Sequence, residues 1–194
     1  MKNPVLKASL LISALVLVLI GLDQWLKLYI HAHFELGEAR PITSWFWLCY
    51  IENDGMAFGI EWFSKLLLTL FRVVAVGVLG WYMATLLKPL SERSLKMKEW
   101  SYIAMIVLIM AGALGNIVDC VCYGVLFDSA PVFYGRVIDM LYFPLIHNAN
   151  GEVLFFRPVF NLADSYITGA VIAIILFFRK ELNQSLNKKS DANE

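Results

Sequence analysis

FNLADSYITGAVIAIILFF, Phe160 to Phe178, is the last long apolar run of the chain. From Ile167 onward it carries no charge until Arg179, and an apolar stretch of about 20 residues is what a helix needs to cross a bilayer. Yet Asp164 stands at its mouth. A charge at the bilayer centre costs about 2.5–3.5 kcal/mol on insertion scales, and less toward the interface. The run therefore reads as a span whose acid lies about one helical turn below its end.

The rest of the chain supports a membrane setting. Its 194 residues are 59% hydrophobic and only 16% charged, with a mean hydropathy of +0.66; a soluble domain carries about 25% charge. Three further runs are long enough to span, at about 6–30, 63–87 and 100–121. The first resembles a secretory leader. However, Asp23 interrupts its outer end where a small-residue cleavage site belongs, so it reads as a retained helix. Lys88-Pro89 and the polar stretch to Glu99 end the second span. The expected organisation is one four-helix unit over 1–180 and a cytoplasmic tail over 181–194, its last part, NQSLNKKSDANE, disordered.

Basic residues orient the spans. Lys2, Lys7, Lys88, Arg93, Lys96, Lys98, Arg179, Lys180, Lys188 and Lys189 flank the runs on one side and are ten of the sixteen Lys and Arg, while loops 31–62 and 122–159 hold only Arg40, Arg136 and Arg157. The positive-inside rule places both termini and the 88–99 loop in the cytoplasm and the two long loops outside. The net charge of zero gives no basic field for nucleic acid. Cys49, Cys120 and Cys122 form no even framework and read as three buried thiols.

With this topology the polar residues gather at one depth. Asp23, Asn116, Asp119, Asn161 and Asp164 lie at the outward ends of spans one, three and four, and Asn53 and Asp139 lie in the outer loops. Two of them have a plainer reading: Asp164 as a helix-start acid favoured by the macrodipole, Asp23 as an i,i+4 partner of Lys27. Together they form a site candidate. Gly112 and Gly115 permit close helix approach there. No H-E-x-x-H is present, His31 and His33 form a lone H-x-H, and no serine sits in a G-x-S-x-G elbow. What remains is carboxylate chemistry. Two aspartates close together cannot both ionise, so one keeps a proton while the other acts as base toward a water, with no cofactor or metal.

The phrases DQWLK (23–27), NDGMAFG (53–59), GALGNIVD (112–119), GRVID (135–139) and FNLADS (160–165), in this order on four spans, resemble the bacterial lipoprotein signal peptidases, the type II signal peptidases. The resemblance implies an all-α membrane protein of four transmembrane helices with a small extracytoplasmic β-cradle, drawn here from residues about 35–60. It implies an aspartyl endopeptidase of the bacterial inner membrane that cuts diacylglyceryl-modified prolipoproteins just before the lipidated cysteine. Membrane lipid would be its other partner, and a monomer is expected. Asp139 and Asp164 match the catalytic aspartates; Asn53, Gly55, Asn116 and Asn161 match residues that line the site; Asp23 and Asp119 match supporting acids. Two departures stand out. Cys120 occupies the position where the family usually has arginine, for which Arg136 is a candidate replacement. The family's spacing from Asp119 falls on Asp128, in GVLFD, but GRVID fits the phrase fully and favours Asp139 across an inserted FDSAPVFYGR. Two other classes keep four spans with interfacial acids: a small transporter component and a lipid-binding assembly factor.

Overall fold

The computed structural model describes residues 3–53, 65–147, 153–155 and 158–187. The first element, α1 (Pro4–His33), opens on Asn3, whose side chain accepts from the amides of Val5 and Leu6. That satisfies donors orphaned at a helix start, with proline at the position that needs none. Strands β1 (Ala39–Pro41) and β2 (Trp47–Asn53) follow, then α2 (Lys65–Leu87) and a 3-10 turn at Lys88–Ser91. Helix α3 (Met97–Val118) runs into a π turn at Asp119–Tyr123 and a last turn, α4 (Gly124–Leu126). After β3 (Val137–Tyr142), β4 (Ile146–His147), β5 (Val153–Phe155) and β6 (Val159–Phe160) come α5 (Leu162–Phe177) and α6 (Arg179–Asn187).

Among the described residues three helices are long and apolar enough to cross a membrane: Pro4–His33, Lys65–Ser91 and Met97–Leu126. The fourth run is shorter than its apolar composition suggests. Its helix α5 has 16 residues, about 24 Å at 1.5 Å per residue. At Phe178 the backbone leaves the helical region, and α6 departs at 90°. The segment expected to be a disordered tail is thus helical as far as Asn187. The reason is packing: Leu182 rests on the helix core, the Ser185 hydroxyl bonds that of Tyr82, and Glu181 lies 3.4 Å from Lys98.

Helix α3 is the centre of the bundle. Of its most apolar window 44% is buried, against 11% for α1 and α2. Tyr102, Ile103, Ile106 and Val107 pack with Ala8 and Val16 of α1, Met83 and Leu87 of α2, and Ile174 of α5. The outward faces of these helices remain apolar and exposed, as at Leu11, Leu17, Phe71, Val74 and Phe177, which suits hydrocarbon. Gly112 explains how closely α5 approaches: a Cβ there would collide with the Ala163 carbonyl and lie 2.8 Å from Ile167 Cγ1. The close contact expected of Gly112 is thus made with α5.

A small antiparallel sheet of order β1-β2-β3-β6 sits at the end of the bundle where α1 and α3 finish and α5 begins. Ile51 lies opposite Asp139, Glu52 opposite Ile138 and Asn53 opposite Val137, with a register shift between Leu48 and Ile51. The sheet is not confined to 35–60, as expected; two of its four strands come from the second long loop. Strand β3 was hidden because Val137 to Met140 are all buried, and a strand covered on both faces loses the alternation that marks one. Ile138 and Met140 pack on Ile30, Phe34, Tyr50 and Tyr123, tying the sheet to the end of α1. Of the thiols, Cys49 and Cys120 are buried, but Cys122 is exposed, because the π turn rotates it away from the core.

Candidate active site

FNLADS builds the centre of the site. Asn161 is the N-cap of α5, and its Oδ1 accepts from the Asp164 amide at 2.8 Å. In return the Asp164 carboxylate accepts from the Asn161 amide at 3.5 Å, which completes a capping box. The Asn161 side chain has a second task. Its Nδ2 donates to Asp139 Oδ1 at 2.7 Å. One fully buried asparagine therefore holds both acids, one on a strand and one on a helix start. Asp139 Oδ2 accepts from Asn53 Nδ2 at 2.9 Å, and Asp164 Oδ1 accepts from Asn116 Nδ2 at 2.8 Å.

Behind these acids lies a charged cluster of which the sequence announced only the Asp23–Lys27 pair. Lys27, completely buried, directs its ammonium at three acceptors: Asp23 Oδ2 at 2.7 Å, Asp119 Oδ2 at 2.6 Å and Asn116 Oδ1 at 3.1 Å. The contact to Asn116 is a hydrogen bond, and those to the two carboxylates are ion pairs. The two carboxylates are braced further. Asp23 Oδ1 accepts from the Ala163 amide at 2.9 Å, and Asp119 Oδ1 from Gln24 Nε2 at 2.7 Å. Gln24 in turn accepts from the Tyr123 hydroxyl at 2.9 Å. Gly115 leaves room for this cluster, since a Cβ there would lie 2.8 Å from Asp23 Oδ2. Lys27 belongs to the site through Asn116, which passes its orientation on to Asp164. The i,i+4 spacing exposed only the Asp23 half of this arrangement.

Seven of the eight residues singled out in the sequence come together: Asp23, Asn53, Asn116, Asp119, Asp139, Asn161 and Asp164. Gly55 lies outside the described residues. Asp128, the alternative first acid, is exposed on a turn with φ of 51°, and Asp139 occupies the place beside Asn161. Arg136 does not stand in beside Asp119; it bonds Glu52 Oε2 at 3.2 Å. The guanidinium beside Cys120 belongs to Arg72 of α2, whose Nη1 lies 3.1 Å from the thiol sulfur. No spacing in the sequence linked these two positions.

Burial pushes the Asp139 carboxyl up to about 6, the hydrogen bonds from Asn53 and Asn161 pull it down, and the nearby Asp164 charge pushes it up. A carboxyl so placed keeps a proton closer to neutral pH than a free one. Among the described residues no group of three or more His, Cys, Asp or Glu is arranged to hold a metal ion. Two carboxyl groups held by one asparagine, Asp139 by its side-chain NH₂ and Asp164 by its backbone N–H, suit the polarisation of a carbonyl and the activation of water.

Known proteins place this architecture. The family model described as "Signal peptidase (SPase) II" matches residues 15–179. The lipoprotein signal peptidase of Porphyromonas gingivalis is 34% identical, over 94% of this chain and 89% of its own length. That of Streptococcus pneumoniae is 32% identical, over 92% and 99%. A solved bacterial membrane enzyme, 23% identical, shares the fold with a TM-score of 0.62 over 92% of this chain and 91% of its own. The chain belongs to the signal peptidase II family, and is an aspartic-type protease.

Proposed function

We propose that Asp139 and Asp164 are the catalytic pair with which this protein cleaves diacylglyceryl-modified prolipoproteins, immediately before the lipidated cysteine. Membership of the family makes the protein an enzyme that removes signal peptides from lipoproteins; the residues, the lipid and the depth of the cut are our reading. The observation that carries it is Asn161, bonded to Asp139 and to Asp164 at once. In this reading Asp164 takes a proton from a water, whose oxygen attacks the scissile carbonyl carbon. Asp139 gives its proton to the carbonyl oxygen. The resulting diol collapses as its C–N bond breaks, the new amine takes the proton held by Asp164, and a diol hydroxyl returns one to Asp139.

The setting follows from the same geometry. We read α5 and the turn into α6 as a fourth crossing, with both termini in the cytoplasm of a bacterium and the sheet outside its inner membrane. The basic residues at the opposite end of the bundle support this orientation. A signal peptide is a membrane-spanning helix, so its cleavage point arrives at the outer interface. The two acyl chains hold it at one depth, each buried CH₂ adding about 0.8 kcal/mol of membrane affinity. We read the protein as a monomer: Asn53, Asn116 and Asn161, which bond the two acids, all belong to this chain. A transporter needs ionisable groups near the midplane; the buried acids described here all lie at the sheet end.

The test is a gel-shift assay in detergent on one preprotein in two forms, diacylglyceryl-modified and bare thiol, with the parent protein, Asp139→Asn and Asp164→Asn. The parent should cut the lipidated form alone, and each variant should lose activity by about 10³-fold or more while staying folded. Equal cleavage of the bare thiol form would remove the lipid from the argument. An active Asp139→Asn would remove the pair.

A further inference from the structure

The sheet has two faces, and the site uses one. Side chains alternate along a strand, so Asn53 and Asp139 share a face, while Tyr50, Glu52, Ile138 and Arg136 belong to the other. That other face carries a continuous polar chain. His31 Nδ1, in the last turn of α1, lies 2.6 Å from the Tyr50 hydroxyl. The Tyr50 hydroxyl donates to Glu52 Oε1 at 2.9 Å, and Arg136 Nη1 donates to Glu52 Oε2 at 3.2 Å. A phenol has one proton. Since it goes to Glu52, His31 Nδ1 must carry a hydrogen and donate. Phe127 fixes the imidazole from above, stacked at 3.7 Å and 19°. Burial and the Glu52 carboxylate hold the Tyr50 phenol above its ordinary pKa, so this donor is not lost near neutral pH.

The chain braces the short far end of β2. The ladder between β2 and β3 shifts register between Leu48 and Ile51, and beyond that irregularity β2 is held to β3 by a short ladder of three pairs, at Ile51, Glu52 and Asn53. The end is what matters, because Asn53 donates to Asp139 from there. Glu52, its neighbour in the chain, is clasped from α1 through Tyr50 and from the start of β3 through Arg136. The Glu52–Arg136 pair is half exposed, and such pairs contribute little stability; the value of this one lies in position.

We propose that His31, Tyr50, Glu52 and Arg136 are positioning residues for the reaction: they brace the short end of β2 beyond its irregularity and thereby hold the Asn53 carboxamide on Asp139. The proposal rests on the reading of Asp139 as a member of the catalytic pair. None of the four touches Asp139 themselves. The groups that face it are Asn53 from β2 and Asn161 and Asp164 from α5, with the Lys27 charge of α1 nearby.

The experiment compares Tyr50→Phe, Asn53→Ala and the double variant in detergent, measuring cleavage of a lipidated preprotein against concentration and pH. Tyr50→Phe should lower kcat about 10-fold, as a displaced catalytic contact does, with KM within about twofold. Since the Asn53 bond pulls the Asp139 proton affinity down, its loss should move the Asp139 limb of the pH profile upward. The double variant should be no slower than Asn53→Ala alone, because both changes remove the same contact. Glu52→Gln, which keeps the acceptor for Tyr50 but loses the charge facing Arg136, should give a smaller loss of the same kind and serves if Tyr50→Phe proves unstable. Multiplicative losses in the double variant, a pH limb that stays in place, or full activity in Tyr50→Phe overturns the proposal. Asp139→Asn keeps the two readings apart: if it is active the catalytic pair is wrong, and if it is inactive while Tyr50 and Asn53 act independently only the positioning role is wrong.

Discussion

Replacing Lys27 by methionine keeps the length and apolar stem of the side chain and removes its charge. The ammonium is completely buried and has two carboxylates at 2.7 and 2.6 Å. Breaking a buried ion pair by removing one partner costs about 3–5 kcal/mol, because an uncompensated charge is left behind. Here one deletion strands both Asp23 and Asp119 and leaves them facing each other, so the upper end, about 5 kcal/mol, is expected. For a chain of this length each kcal/mol moves Tm by about 2–4 °C, giving a fall of about 10–20 °C. Activity should fall as well, because Asn116 loses the donor at 3.1 Å that orients it toward Asp164. Adding Asp119→Asn to Lys27→Met removes one stranded charge and keeps an oxygen for Gln24, so it should recover about half of the lost Tm. Thermal unfolding in detergent, followed by intrinsic fluorescence, reads both numbers. A fall of less than about 3 °C, or a double variant no more stable than Lys27→Met, would refute the view that this ammonium neutralises the cluster.

The pH dependence has a definite sign at Asp139. Its carboxyl is raised from 3.8 to about 6, by burial first, so the folded protein binds this proton more tightly than the unfolded chain. Its favourable contribution is complete below about pH 4 and lost as pH rises through about 6. Asp139→Asn, neutral at every pH, should therefore raise Tm relative to the parent near pH 8 and lose that advantage near pH 4; a variant less stable than the parent near pH 8 contradicts this. At Gly112, where a Cβ would collide with the Ala163 carbonyl, alanine should cost about 1–3 kcal/mol by overpacking and slow cleavage by moving α5 away from Asn116. Gly77→Ala, with nothing within 4 Å of the new carbon, is the control, and equal Tm values for the two would argue against the close contact.

The three long apolar helices were legible because hydrocarbon demands long, mostly apolar runs, and Pro4–His33, Lys65–Leu87 and Met97–Val118 overlap the runs read at about 6–30, 63–87 and 100–121. The π turn at Asp119–Tyr123 and the 90° break after α5 were not, since both depend on packing and leave the composition unchanged. The polar residues could be assigned to one depth, yet their partners could not. Lys27 reads as an i,i+4 neighbour of Asp23, while its equally short contact to Asp119 crosses from one helix to another and has no signature in spacing. The same holds for Arg72 and Cys120, which meet from different helices. Asp139 is preferred to Asp128 by the resemblance of GRVID to a family phrase and by the apolar MLYFP that follows it; local periodicity has no part in it.

Asp164 shows why an acid belongs at the mouth of the last apolar run. A helix that starts at the edge of a membrane must satisfy its first amides without water on every side. FNLADS does so with a capping box, Asn161 taking the Asp164 amide and Asp164 facing the Asn161 amide. The cap alone would explain an asparagine and an acid three residues apart, which is why the plain reading of Asp164 as a helix-start residue was reasonable. It leaves unexplained why the cap is buried, why Asn161 turns its NH₂ to a second carboxyl group on β3, and why Asn116 donates to Asp164 from α3. A cap required only for the helix would be served by its own two residues. The added donors from β2, α3 and the cap itself bring two acids to a single rim, and on that convergence the proposed pairing of Asp139 and Asp164 rests.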